Sequence, residues 1–230
     1  MNKGIQKIFS DVPKTYELIN HLLTFGADII CRRRAAKIAA EGGGTCWLDV
    51  CSGTGEMAAN LSRLSGNGTR IFAADFSLPM LKMAAGKKEL DKTRFIISDV
   101  GSLPFPDESL DLITISFATR NLNSTRETLK GHLAEFCRVL RPGGRFVNLE
   151  TSQPKNRLIR SIMHLYVKLT VRRVGEIISG SKAGYAYLSQ TVPRFYPPDE
   201  FAEIIRQSGF SEVSYRRLFL GFIAVHKGVK

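Results

Sequence analysis

The chain has 230 residues, 43% of them hydrophobic and 23% charged, which excludes a disordered polymer, a collagen or a coiled coil and fits one α/β domain. Lys and Arg number 33 against 21 Asp and Glu, and the net charge of +12 points either to an anionic partner (nucleic acid, an anionic membrane surface or an acidic ligand) or to a solubility feature alone. Four cysteines without a Cys-x-x-Cys pair, and no His pair at zinc spacing, argue against a metal site and against a disulfide scaffold.

No apolar run approaches the ~18–20 residues of a membrane span. The first residues lack a signal core, so reduced thiols in a cytoplasm are expected. A helical pattern covers 9–40 and breaks at Glu41-Gly42-Gly43-Gly44. Apolar runs at 46–51, 70–75, 94–99, 110–117 and 145–150 then read as buried strands. Helical stretches at 56–64, 78–90 and 124–140 separate them. Strict alternation of this kind predicts a mostly parallel sheet with helices on both faces. After Glu150 the rhythm changes: 157–180 and 199–208 read as helices, and 211–218 and 221–227 as strands. The last two are joined too tightly for a crossover helix and must be antiparallel. The whole, 1–230, reads as a single domain with an N-terminal helical segment at 1–41.

The segment from Leu48 to Glu56 leaves the first strand and enters a helix. Gly53 and Gly55 let backbone approach a ligand, and the helix N-terminus offers amides. Asp75 ends the second strand, placed to accept ribose hydroxyls. The spelling Gly53-Thr54-Gly55-Glu56-Met57-Ala58 also satisfies a dinucleotide fingerprint, so the loop alone does not separate NAD from S-adenosylmethionine. Three features tip the balance. Asp49 before the glycines suits a cationic amino-acid tail better than a pyrophosphate. Asp99, read as the end of the third strand, suits an adenine amino group. The antiparallel hairpin completes the pattern of a Rossmann-like class I methyltransferase, a seven-stranded sheet with an antiparallel last strand.

The sequence resembles the ubiquinone/menaquinone C-methyltransferase family along nearly its whole length. Residues 9–20, Thr24-Phe25-Gly26, Leu103-Pro104-Phe105-Pro106-Asp107, Ser116 with Arg120-Asn121, Arg138 to Gly144, Leu149-Glu150, Tyr185-Ala186-Tyr187-Leu188 and Ala224 to Gly228 carry the likeness. It departs from the usual pattern at Glu17, at Cys31 in place of a Trp, and at Ala118-Thr119 in place of Gly-Leu. The resemblance implies S-adenosylmethionine contacts at Thr54, Asp75, Asp99, Val100 and Ser116. It implies that Arg120 and Asn121 act on the acceptor, orienting a water that takes the hydroxyl proton while Arg120 stabilises the anion. Tyr16, Tyr185 and Tyr187 are candidates for the ring pocket, and 151–200 for a helical lid over it. The implied substrate is a lipophilic quinol, demethylmenaquinone above all.

Between Lys155 and Lys182 stand seven basic residues and one acidic. Arg157, Arg160, His164, Lys168 and Arg172 form one helical stripe, with Leu158, Ile162, Leu165 and Leu169 on another side. Such a helix reads as seeking an anionic membrane surface, or as ordinary packing with a solvated face. His226 reads as structural. A homodimer is compatible with the sequence. Other readings are methylation of a sterol or phenol, an NAD-dependent oxidoreductase, and an RNA-binding or RNA-modifying protein; no aromatic-rich RNA platform is present, so no nucleic-acid partner is expected.

Overall fold

A computed structural model describes His21 and residues 24–171 and 189–230. Seven strands, β1 Cys46–Val50, β2 Arg70–Asp75, β3 Arg94–Ile97, β4 Leu110–Ser116, β5 Leu140–Thr151, β6 Ser211–Leu218 and β7 Ile223–Val229, form one sheet in the order β3-β2-β1-β4-β5-β7-β6. β1 to β5 pair in parallel, and β7 is antiparallel to both its neighbours. All five residues of β1 are buried, as a central strand covered on both faces requires. The edge strand β6 exposes most of its side chains.

Seven helices connect the strands among the described residues: α1 Ala27–Ala40, α2 Glu56–Leu64, α3 Leu78–Ala85, α4 Thr119–Leu122, α5 Arg126–Val139, α6 Arg157–Tyr166 and α7 Pro198–Gln207. Thr125 caps α5 by accepting from the Thr128 amide, and Asn156 caps α6 by accepting from Leu158 and Ile159. α6 continues into a π-helical turn, Val167–Val171. Apolar side chains make a core on each face of the sheet. One includes Leu48, Ile113, Phe136, Phe146 and Phe201; the other includes Ala35, Ala39, Trp47, Leu61, Leu112 and Val147.

Three expectations shift. The helix read at 78–90 ends at Ala85, and a 3-10 turn, Lys88–Leu90, follows. The Arg141-Pro142-Gly143-Gly144 stretch belongs to the start of β5, past an irregularity in its pairing with β4. Asp99 does not end β3; it lies two residues beyond Ile97. Among the described residues, no helix is long and apolar enough to cross a membrane.

Candidate active site

β1 has β2 on one side and β4 on the other, so the strand order reverses there and the chain leaves β2 and β4 in opposite directions. Ligands bind at the carboxyl ends beside such a switch point. A shallow cleft opens there, lined by Val50, Cys51, Ala74, Asp75, Phe76, Ser98, Val100 and Leu103. The loop after β1 is tightly wound: Cys51, Gly53 and Gly55 all take positive φ, at 51°, 56° and 83°. The two glycines serve different ends. A Cβ on Gly53 would meet nothing within 4 Å, so its backbone stands open; one on Gly55 would lie 2.5 Å from Leu90 Cδ1. Gly55 is therefore a packing glycine. Thr54, between them, is buried.

Three carboxylates surround this loop in different environments. Asp49 lies in the interior, where the Ser52 and Thr114 hydroxyls each donate to it at 2.7 Å. Burial pushes its pKa up to about 6, against those two hydrogen bonds. Asp75 accepts from the Gly53 amide at 2.8 Å and the Ser77 amide at 2.9 Å. Burial raises its pKa as well, partly offset by these amides. Asp99 is more exposed, and the Gly101 amide, 2.9 Å from Oδ1, holds its pKa down. Burial, together with Asp75, Asp49 and Asp99, pushes the Cys51 thiol well above its ordinary value.

A second cluster lies past β4. Ser116 ends the strand, Phe117 turns in the left-handed region at φ 55°, and α4 carries Arg120 and Asn121. The β4–β5 register pairs Ser116 with Leu149, which sets Glu150 beside the start of α4. Arg120 Nη1 donates to Glu150 Oε1 at 2.7 Å and to the Phe117 carbonyl at 3.1 Å. Glu150 also accepts from the Arg120 amide, the Thr151 amide and the Thr151 hydroxyl. Asn121 Oδ1 is buried and has no hydrogen-bond partner among the described residues. Arg32, from α1, stacks 5.0 Å above the Phe117 ring and pairs with the buried Asp28.

The structure thus gathers Asp49, Gly53, Thr54, Gly55, Asp75, Asp99 and Val100 around one loop and cleft, and Ser116, Arg120 and Asn121 around the adjoining strand end. Tyr16, Tyr185 and Tyr187 lie outside the described residues. Arg120 is held in a buried ion pair by Glu150, a carboxylate near the end of β5. Glu150 and Arg32 went unremarked as site residues. A charged residue closing the apolar run 145–150 was the one available signal for Glu150; its partner follows only from strand register.

Residues 1–230, the whole chain, match the ubiE/COQ5 methyltransferase family. The chain belongs to the ubiE/COQ5 methyltransferase family. This ubiE/COQ5 member is 37% identical to a demethylmenaquinone methyltransferase from Thermus thermophilus, over 96% of this chain and 99% of that protein. It is 33% identical to a ubiquinone/menaquinone biosynthesis C-methyltransferase from Desulfotalea psychrophila, over 99% of this chain and 90% of that one. A solved SAM-dependent methyltransferase from Thermotoga maritima shares the fold, with a TM-score of 0.69 at 18% identity, covering 98% and 99% of the two chains. The protein is an S-adenosylmethionine-dependent methyltransferase. The cleft fits that donor: it joins a carboxylate fixed by two backbone amides to an apolar wall of Val50, Val100 and Leu103, beside the open backbone of Gly53.

Proposed function

We propose that this methyltransferase methylates a ring carbon of a prenylated hydroquinone, converting a demethylmenaquinol into a menaquinol. The observation that carries this is the near full-length likeness, in both chains, to the Thermus demethylmenaquinone methyltransferase. In this reading Asp75 accepts the ribose hydroxyls, Asp99 and Val100 receive the adenine, and Thr54 and Gly53 border the amino-acid tail. Asp49, held by two hydroxyls, sits behind that tail and fixes the loop. S-adenosylmethionine supplies a methyl group on a sulfonium centre.

The protein's own task is to make the acceptor carbon nucleophilic and hold it in line. A hydroquinone ring carbon is a weak nucleophile until the neighbouring hydroxyl loses its proton. Asn121 Oδ1, a buried acceptor without a partner among the described residues, would orient a water that passes this proton on to solvent. Arg120, immobilised by Glu150, would stabilise the resulting anion without having to reorganise. The new carbon–carbon bond would form as the methyl carbon–sulfur bond breaks, and the ring hydrogen would then leave as a proton to water, restoring the aromatic ring. Holding the carbon about 3–3.5 Å from the methyl group supplies much of the acceleration.

The test is direct. Purified protein, labelled S-adenosylmethionine and a chemically reduced demethylmenaquinone should give a labelled menaquinol by mass spectrometry, and cells lacking the protein should accumulate the demethylated quinone. Methylation of a sterol or a phenolic oxygen, with the quinol untouched, would overturn the proposal.

A further inference from the structure

α6 is set into the molecule with its apolar side outward. Met163 and Val167 are buried and Ile159 is half-buried, whereas Leu158, Ile162, Leu165 and Leu169 are 69%, 57%, 56% and 46% exposed. At about 100° per residue these four fall on one stripe. Arg160 and His164 lean inward, and His164 Nε2 lies 2.8 Å from Gln153 Oε1. Arg157 and Lys168 are exposed and flank the apolar stripe. The basic stripe expected from sequence is thus divided, and the side that meets solvent is mainly apolar. Arg172 lies outside the described residues.

Two further elements extend this surface. Phe25 is 86% exposed, and its ring centroid lies 6.2 Å from that of Tyr166 on α6. The turn between β6 and β7, Phe219–Gly221, presents Leu220 at 75% exposure, and a Cβ on Gly221 would lie 3.3 Å from Pro154, just before α6. Phe25, Phe219 and Leu220 all hold positive φ, at 51°, 46° and 57°, a region that such residues adopt rarely. Backbone strain is thus kept at the positions where large apolar side chains face water.

All three elements meet at one edge. The Phe219–Gly221 turn adjoins the carboxyl end of β5, since Thr151 pairs with Ile223. α6 follows that same end, and the N-terminal half of α1 reaches the end of β4 through Arg32 and Phe117. This is the edge that carries Ser116, Arg120 and the candidate cleft.

We propose that this rim, formed by α6, Phe25 and the Phe219–Gly221 turn, docks on an anionic lipid bilayer. Charge complementarity selects this occupant. An apolar centre beside the exposed Lys155, Arg157 and Lys168 matches acyl chains beneath an anionic headgroup layer. Docked so, the catalytic edge opens onto the layer that holds a polyprenyl tail, and the quinol ring reaches it without the tail leaving the bilayer. That consequence rests on the acceptor proposed above; the surface itself does not.

The experiment uses the full chain without cofactor or quinol. The sole tryptophan, Trp47, is buried, so a Leu220→Trp variant carries a reporter at the rim. With phosphatidylglycerol-containing vesicles its emission should shift to the blue and be quenched by brominated acyl chains. Co-sedimentation should weaken with salt and with Arg157→Gln plus Lys168→Gln. The variant Leu158→Gln, Ile162→Gln, Leu165→Gln changes only exposed positions and should bind at least tenfold more weakly. Wild type that ignores vesicles, or binding indifferent to all these substitutions, would overturn the proposal. So would a concentration-dependent dimer abolished by the triple variant, which would assign the face to a second copy. A protein that binds vesicles but leaves demethylmenaquinol unmethylated would refute the acceptor and keep the surface.

Discussion

Glu150 Oε1 lies 2.7 Å from Arg120 Nη1, and Glu150 Oε2 also accepts from the Arg120 backbone amide at 3.2 Å, so one buried carboxylate fixes both the guanidinium and the first turn of α4. Removing one member of a buried pair leaves the other charge uncompensated. Glu150→Ala should therefore cost about 3–5 kcal/mol in urea unfolding. Glu150→Gln keeps an acceptor and should fold, yet lower turnover on the quinol while leaving S-adenosylhomocysteine affinity near wild type. A Gln variant with full turnover would mean that the pair only builds the fold.

Arg120→Ala and Asn121→Ala should each lower turnover while cofactor affinity changes little. Positioned acid–base help is worth about 10²–10⁴-fold, and the loss should fall in that range for Asn121→Ala. Single-turnover rates beside calorimetric affinities separate the two effects. Loss of cofactor affinity in step with turnover would move both residues to the cofactor side.

The parallel sheet was legible because each central strand is an uninterrupted apolar run between turn signals, as in Cys46–Val50. The loop of Gly53 and Gly55 was equally plain, since few arrangements other than a ligand loop place two glycines between a buried strand and a helix. Their division of labour was not. Whether a glycine faces a ligand or a neighbouring side chain depends on Leu90, 35 residues further on, and no local pattern contains that. Glu150 was hidden for a similar reason, because pairing across β4 and β5 is a property of register. The amphipathic character of α6 could be read from spacing, but which side meets the solvent is set by what Met163 and Val167 pack against.

The two glycines give a paired prediction. Gly53→Ala at φ 56° meets open space, so it should cost only the left-handed strain of about 1–2 kcal/mol. Gly55→Ala adds a clash with Leu90 Cδ1 at 2.5 Å to similar strain, and overpacking adds about 1–3 kcal/mol. Denaturation midpoints should fall further for Gly55→Ala. Cofactor affinity relative to stability should fall further for Gly53→Ala. Equal unfolding costs would show that the Leu90 contact relaxes freely.

Asp75 offers a cleaner probe of the cofactor. Its two oxygens are anchored by the Gly53 and Ser77 amides, so the group is fixed before any ligand arrives. Hydrogen bonds to a charged group are worth about 1.5–3 kcal/mol, so Asp75→Ala should weaken S-adenosylhomocysteine roughly tenfold to a hundredfold. NADH should not bind to either protein in calorimetry. An unchanged affinity for S-adenosylhomocysteine would remove Asp75 from the site.

Two buried groups should oppose each other as the pH falls. His226 is buried with Nε2 2.9 Å from the Pro198 carbonyl, and burial lowers its pKa from 6.5 to about 4. The unfolded chain therefore takes up that proton first. The stability that goes with neutral His226 is complete above pH 6.5 and is lost as the pH falls towards 4. Asp49 works the other way. Its pKa is raised from 3.8 to about 6, so the native state carries a buried charge at neutral pH, and that cost is relieved as the pH falls from 6 to 3.8. At 1.36 kcal/mol per pH unit each effect amounts to about 3 kcal/mol, with opposite sign over nearly the same window. In the wild type they should largely cancel. Asp49→Asn should be more stable at pH 7 and lose stability steeply on acidification. His226→Gln, which gives up ring contacts with Phe201 and Tyr215, should start lower but gain stability between pH 6.5 and 4.5. Urea titrations across that range read the slopes directly, and slopes parallel to wild type in both variants would refute the paired assignment.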